Sequence, residues 1–226
     1  VPDILMNLAD ANNRLGKLDI GAAWYRRALL MCDSLHMAST KKPPIYYGLA
    51  QVYVTMRDFE QCDYYYNLAG ESYDNMLPYE KYIYLNNRGT SYYYREDYQT
   101  AIKYFQKVID LVEGYDDMSF ELNLGRLNLG DCYLQLNMVD LAVKYINECQ
   151  PFFEEMGVST ALYYIDTQKI ELALLQKDFQ EARRLLSESV VPPGIDPDMV
   201  HIRNKYLQQF YEETGNYKRA YHYLQR

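Results

Sequence analysis

The chain has 226 residues, of which 49% are hydrophobic, enough for one sizeable domain or an elongated array. Its formal net charge is −8, and its longest cationic groupings are only pairs, such as Lys41-Lys42 and Arg183-Arg184, which argues against a phosphate-backbone partner. No apolar run approaches the roughly 20 residues of a membrane-spanning helix, and no signal peptide stands at the start.

Apolar periodicity and turn residues predict an all-helical chain. In order, helices are expected over 2–14, 18–37, 44–56, 59–75, 79–94, 98–113, 119–136, 139–156, 159–176, 179–189, 197–213 and 217–226. Pro44, Pro78 and Pro197 stand at or just before helix starts, where a missing amide proton costs least. Pro192-Pro193-Gly194 is the strongest break and reads as a loop between units, because the period described next carries through it. Pro151 falls inside a predicted helix and is expected to kink or shorten it. The start at Val1-Pro2-Asp3 and the end at Arg226, soon after a helix start, read as boundaries within a larger protein.

Every second helix opens on a recurring anchor: Leu18, Phe59, Tyr98, Val139, Phe179 and Tyr217, spaced 41, 39, 41, 40 and 38 residues apart. Three residues later come Gly21, Cys62, Ala101, Ala142, Ala182 and Ala220, and seven later Tyr25, Tyr66, Phe105, Ile146, Leu186 and Leu224. Offsets of three and seven share one helical face, so each second helix carries an apolar stripe with a small residue where a backbone crosses closely. Nine residues before the anchors stand Ala9, Ala50, Gly89, Gly130, Ile170 and Gln208, and six before stand Asn12, Tyr53, Tyr92, Tyr133, Ala173 and Tyr211. A period near 40 marks stacked helical hairpins.

This pattern resembles the tetratricopeptide repeat family, most closely in Arg88-Gly89-Thr90-Ser91-Tyr92 and Leu129-Gly130-Asp131-Cys132-Tyr133. It departs in its longer period, in lacking the family's tryptophan position, and in carrying Gln208 where a small residue is expected. The resemblance implies a right-handed superhelical solenoid of about six antiparallel helix pairs in a single domain over 1–226. Its repeats would lie near 2–37, 44–75, 79–113, 119–156, 159–189 and 197–226.

Chemistry is sparse. Cys32, Cys62, Cys132 and Cys149 form no CxxC pair and read as small core residues. His36, His201 and His222 have no ligand spacing, and no nucleophile, phosphate or dinucleotide motif is present. Asp116-Asp117, Glu154-Glu155 and Glu212-Glu213 read as solvated faces; two adjacent acids on a helix diverge by about 100°. No catalytic residue, cofactor or metal is therefore expected.

Tyrosine carries the remaining signal. The repeat accounts for eight of 26 as core: Tyr25, Tyr53, Tyr66, Tyr92, Tyr98, Tyr133, Tyr211 and Tyr217. The runs Tyr64-Tyr65-Tyr66 and Tyr92-Tyr93-Tyr94 each sweep roughly 200° of helix, wider than a core stripe. The surplus rings either cover junctions between repeats or serve a recognition surface, where tyrosine is favoured.

In the family resembled, first helices line a concave groove that holds peptides or partner helices. Carried over, that groove reads Met6 and Asp10, Tyr47 and Gln51, Asn86 and Thr90, Leu127 and Asp131, Thr167 and Glu171, with Tyr93 and Tyr94 nearby. The partner-binding candidates are Asp10, Tyr47, Gln51, Asn86, Thr90, Tyr93, Asp131 and Glu171. The cationic clamp with which some family members hold a carboxylate terminus is missing. The expected partner is a neutral to basic protein or peptide, with no nucleic acid and no membrane in this segment, and a homodimer is compatible.

The resemblance extends to long-repeat regions of bacterial regulators with a membrane helix and a histidine-kinase or DNA-binding output. It implies a non-enzymatic sensory or regulatory domain, periplasmic by that analogy and otherwise cytoplasmic. Two other readings stand beside it: a glycan-binding helical-repeat protein stacking sugars on groove tyrosines, and a cytoplasmic peptide-pheromone receptor.

Overall fold

In a computed structural model that describes residues 2–37, 42–195 and 197–224, the chain forms twelve α-helices, with no strand among the described residues. They are α1 (Pro2–Arg14), α2 (Leu18–Ser34), α3 (Pro43–Thr55), α4 (Phe59–Gly70), α5 (Pro78–Tyr93), α6 (Tyr98–Val112), α7 (Ser119–Gln135), α8 (Val139–Met156), α9 (Ser159–Leu175), α10 (Phe179–Glu188), α11 (Pro197–Glu213) and α12 (Tyr217–Leu224). All six anchors are first residues of their second helices. Lys41, one half of a predicted cationic pair, and the last two residues of the helix expected to reach 226 lie outside the described residues.

One turn geometry joins each pair. Two residues before every anchor the backbone is left-handed, at Gly16, Arg57, Glu96, Asn137, Lys177 and Gly215. The next amide donates back across the turn: Lys17 to the Asn12 carbonyl, Asp58 to Tyr53, Asp97 to Tyr92, Met138 to Tyr133, Asp178 to Ala173 and Asn216 to Tyr211. This closure satisfies carbonyls at the end of the first helix that would otherwise lack a donor. The carboxylates of Asp58, Asp97 and Asp178 then cap the second helix, accepting from the amides of Gln61, Thr100 and Glu181. Each such cap contributes about 1 kcal/mol.

Chain contacts divide the molecule into two compact units, Val1–Glu121 and Leu122–Arg226. In the first, Ala9, Tyr25, Cys32, Ile45, Leu49, Ala50, Cys62 and Tyr66 form one buried cluster across α1 to α4. The second holds two clusters, one around Ile146, Phe153 and Ile165, the other around Ile170, Leu186, Leu207 and Phe210. The small residues expected at close crossings, Cys62, Ala101, Ala142, Ala182 and Ala220, are all buried, and a Cβ on Gly21 would collide with the Asn13 side chain. All four cysteines are free and buried.

The tyrosine surplus has a structural explanation that reading by anchor and core positions misses. In four repeats a tyrosine six residues before the anchor stacks on one six residues after it. The pairs are Tyr53–Tyr65, Tyr92–Tyr104, Tyr133–Tyr145 and Tyr211–Tyr223, with centroids 5.7, 5.5, 5.6 and 5.9 Å apart and planes within 15° of parallel. Each stack ties the two helices of one hairpin and contributes about 1 kcal/mol beyond area burial. Cations border them: Arg95 lies over Tyr92, Lys107 over Tyr104, Lys144 over Tyr145 and Arg219 over Tyr211.

Several expectations are corrected. Tyr217 and Leu224, read as core, are 72% and 62% exposed, because no following helix covers α12 among the described residues. α8 runs through Pro151 to Met156 without shortening. α4 stops at Gly70, earlier than expected, where the Tyr84 hydroxyl would stand 2.8 Å from a Cβ; a 3₁₀ turn at Tyr73–Asn75 follows. Between α6 and α7, Asp116–Met118 form a 3₁₀ turn. Leu127 and Thr167, assigned to the groove, are buried: Leu127 joins the α8 cluster, and the Thr167 hydroxyl donates to the Tyr163 carbonyl.

Candidate partner-binding face

The first helices α1, α3 and α5 carry six of the candidates, all in the first unit. Asp10, exposed on α1, accepts the hydroxyl of Tyr25 from α2. That bond, burial and the Asp10 charge all keep the Tyr25 phenol protonated far above its usual range, burial most. Gln51 is exposed on α3. Tyr47, also on α3, turns toward the next repeat, its hydroxyl 3.5 Å from the Met76 sulfur and its ring 6.4 Å from Tyr84. It is therefore a half-buried junction residue as much as a groove residue.

On α5, the Thr90 hydroxyl donates to the Asn86 carbonyl, and the Asn86 amide faces the Asn87 oxygen at a long 3.4 Å. Tyr93 is half-buried, edge-on to Tyr94 and Tyr98. Beside these, Asp63 of α4 joins Arg88 of α5 at 2.9 Å and Arg95, in the turn after α5, through paired contacts of 2.7 and 2.8 Å. The two guanidiniums hold the Asp63 carboxyl below its ordinary range against the opposing effect of burial. Arg88 is buried between Tyr66 and Tyr92, so this network fixes one junction and offers little to a ligand.

In the second unit the two remaining candidates both act on Tyr206. Glu171 of α9 accepts from the Tyr206 hydroxyl of α11 at 2.6 Å and from the Gln135 amide of α7 at 3.1 and 3.3 Å. Burial raises the Glu171 carboxyl above its usual range; the bonds from Tyr206 and Gln135 and the charge of Lys205 pull it partly back. Asp131 of α7 also acts on Tyr206, whose phenol is held protonated by burial first and by Glu171 next. Three successive first helices thus bring the Glu171 carboxylate, the Gln135 amide and the Tyr206 phenol to one place. Among the described residues no arginine or lysine forms an ion pair with Glu171.

Gln135 and Tyr206 went unnoticed in the sequence. Gln135 had a usable signal, four residues after Asp131 and so on the same face. Tyr206 had none, because it sits eleven residues before its anchor whereas Glu171 sits eight before, and only the three-dimensional offset between α9 and α11 brings them together. Among the described residues no group of three or more His, Cys, Asp or Glu could hold a metal, and no helix is long and apolar enough to cross a membrane.

Residues 82–115 and 125–150, which contain the two fragments singled out above, each match the tetratricopeptide repeat family. Anaphase-promoting complex subunit CDC16 of Saccharomyces cerevisiae is 25% identical over 162 residues, which is 70% of this chain but 18% of that protein's length. Similar solved structures include aspartyl phosphate phosphatase F of Bacillus subtilis (TM-score 0.74, 14% identity, 99% of this chain and 57% of that one). Another is a signal-transduction ATPase with a tetratricopeptide repeat sensor from Pyrococcus horikoshii (0.71, 16%, 95% and 31%). A third is PilW, a type IV pilus biogenesis factor (0.68, 15%, 98% and 90%). At these identities the likeness concerns the fold, an all-α array of helical hairpins.

Proposed function

Since the chain is built of tetratricopeptide repeats, a scaffold for protein interaction, we propose that it is a non-catalytic domain binding a neutral to basic peptide or partner helix on its first-helix face. The carrying observation is the convergence of Gln135, Glu171 and Tyr206, with the Asp131 charge acting on the Tyr206 phenol. A half-buried carboxylate with two neutral donors has spare acceptor capacity and an unfavourable charge. A lysine or arginine of the partner relieves both. The net charge of −8 favours the same sign of partner by steering it inward.

A sensory or regulatory role in bacterial signal transduction is the setting we favour. The support is the fold shared with the tetratricopeptide repeat sensor of a signal-transduction ATPase and with an aspartyl phosphate phosphatase, together with the scarcity of catalytic motifs. The test uses a labelled helical peptide rich in lysine and its glutamate counterpart, followed by fluorescence anisotropy. The lysine peptide binds in a salt-sensitive manner, and Glu171→Gln weakens it about tenfold, the effect of roughly 1.4 kcal/mol, with thermal stability kept. Equal binding of both peptides, or unchanged affinity in Glu171→Gln, removes this reading.

A further inference from the structure

An ionised carboxylate offers about four acceptor positions, inner ones in the fork between its oxygens and outer ones on their far sides. At Glu171 the fold itself occupies most of them. The Gln135 amide nitrogen lies 3.1 Å from Oε1 and 3.3 Å from Oε2, so it sits in the fork and covers the inner positions of both oxygens. The Tyr206 hydroxyl, 2.6 Å from Oε2, is left with the outer position of that oxygen. Among the described residues no donor reaches the outer position of Oε1. Lys205, exposed beside Tyr206, acts on Glu171 only through its charge.

The two cations a partner can bring differ in what they need from this acceptor. Arginine draws its advantage from meeting both oxygens at once through parallel N–H bonds, an approach that runs into the fork. Asp63, whose fork holds no amide, is met in this way by Arg95, with one nitrogen on each oxygen at 2.7 and 2.8 Å. At Glu171 the same approach collides with the Gln135 nitrogen, donor against donor. A guanidinium confined to the outer side of Oε1 makes one bond and leaves its other N–H groups to be satisfied at a half-buried site, which is costly. An ammonium group is a compact point charge that needs one contact there and keeps fewer donors waiting.

We propose that Gln135 determines specificity by closing the fork of Glu171, so that the partner side chain received there is a lysine and not an arginine. This rests on the peptide-binding reading above and narrows it from a basic partner to one that presents an ammonium group. Gln135 acts through Glu171 as a positioning residue: it sets which side of the carboxylate stays open and thereby how many bonds an incoming cation can make.

Fluorescence anisotropy at mildly alkaline pH, where Glu171 is ionised, tests this with the labelled lysine peptide, an arginine peptide of the same spacing and the glutamate peptide. The parent chain is expected to bind the lysine peptide about fivefold tighter than the arginine peptide, the worth of one hydrogen bond. Gln135→Ala opens the fork, and the arginine peptide is expected to equal or overtake the lysine peptide. Tyr206→Phe frees an outer position but leaves the fork closed, so both affinities are expected to move by a similar factor with the lysine preference kept. Circular dichroism checks that the variants stay helical, and Gln135→Ser repeats the opening with another short side chain. Equal binding of the two cationic peptides by the parent, or a lysine preference that survives Gln135→Ala and Gln135→Ser, overturns the proposal and leaves the peptide-binding reading standing. Loss of the preference in Tyr206→Phe would show that removing any donor suffices, and overturns the assignment to the fork. If neither cationic peptide outbinds the glutamate peptide, the proposal and the reading beneath it fall together.

Discussion

Gly89 and Gly130 occupy the same repeat position, nine residues before their anchors, where two other repeats carry Ala9 and Ala50. The repeat pattern alone makes Gly→Ala equally harmless at both; the packing separates them. A Cβ on Gly89 would stand 2.7, 2.9 and 3.0 Å from three ring atoms of Phe105, which is buried and has no room to retreat. A Cβ on Gly130 would meet the Gln168 oxygen at 3.1 Å and the Ile146 side chain at 3.2 Å, which a few tenths of an ångström relieve. Overpacking a buried ring costs about 3 kcal/mol at the upper end, against about 1 kcal/mol gained when alanine replaces a helical glycine. Gly89→Ala is therefore expected to destabilise the first unit by about 2 kcal/mol, and Gly130→Ala to leave the second unit unchanged or up to about 1 kcal/mol more stable. Urea unfolding measures both: Trp24, the single tryptophan, reports the first unit and far-UV circular dichroism reports the whole chain. If Gly89→Ala unfolded at the parent's urea concentration or above, the claim that Phe105 sets the size limit at this crossing would be refuted.

Two further outcomes follow from features described above. Glu96 and Lys177 hold left-handed backbone that a side chain resists, so Glu96→Gly and Lys177→Gly are each expected to stabilise by about 0.5–1 kcal/mol, after the greater freedom of glycine in the unfolded chain is subtracted; thermal unfolding checks this, with Gly215→Ala moving the other way. Because the Glu171 carboxyl is raised in the fold, its protonated form is favoured there: its contribution is full below the ordinary glutamate range and is lost as pH rises through the folded value. Glu171→Gln is thus expected to flatten the fall in stability between about pH 4 and neutrality, measured as urea midpoints across pH, and an unaltered pH profile would show that the carboxyl is not perturbed by its burial.

Helix starts were legible because they rest on local signals: an apolar anchor, an aspartate cap just before it in three repeats, and proline at the first turn of α3, α5 and α11. Helix ends were less so, since α4 stops where Tyr84 from the next helix approaches Gly70, a contact between residues distant in sequence. The same limit applies to the binding face. Periodicity places Asp131 and Glu171 on first helices but says nothing of the rotation of α11 that brings Tyr206 to Glu171. It also cannot tell that Tyr47 leans toward Met76 and Tyr84, or that Leu127 and Thr167 turn inward. The tyrosine stacks were readable in principle, because both partners repeat at fixed offsets, but their parallel rings become evident only when the two helices of a hairpin are set side by side.

Those stacks also distribute cooperativity unevenly along the chain. In a repeat array, stability divides into a part intrinsic to each hairpin and a part coupling neighbours. A ring pair joining two helices of one hairpin adds only to the first part. The first and fifth repeats lack it, with Asn12 and Trp24 in one and Ala173 and Leu185 in the other where the tyrosines would stand. The fifth hairpin, whose second helix α10 has only ten residues, is therefore held mainly by its neighbours through Ile165, Phe179 and Phe210. In hydrogen exchange, sub-global opening of the second unit is expected to start in α10, breaking the unit at an interior seam instead of fraying it from an end.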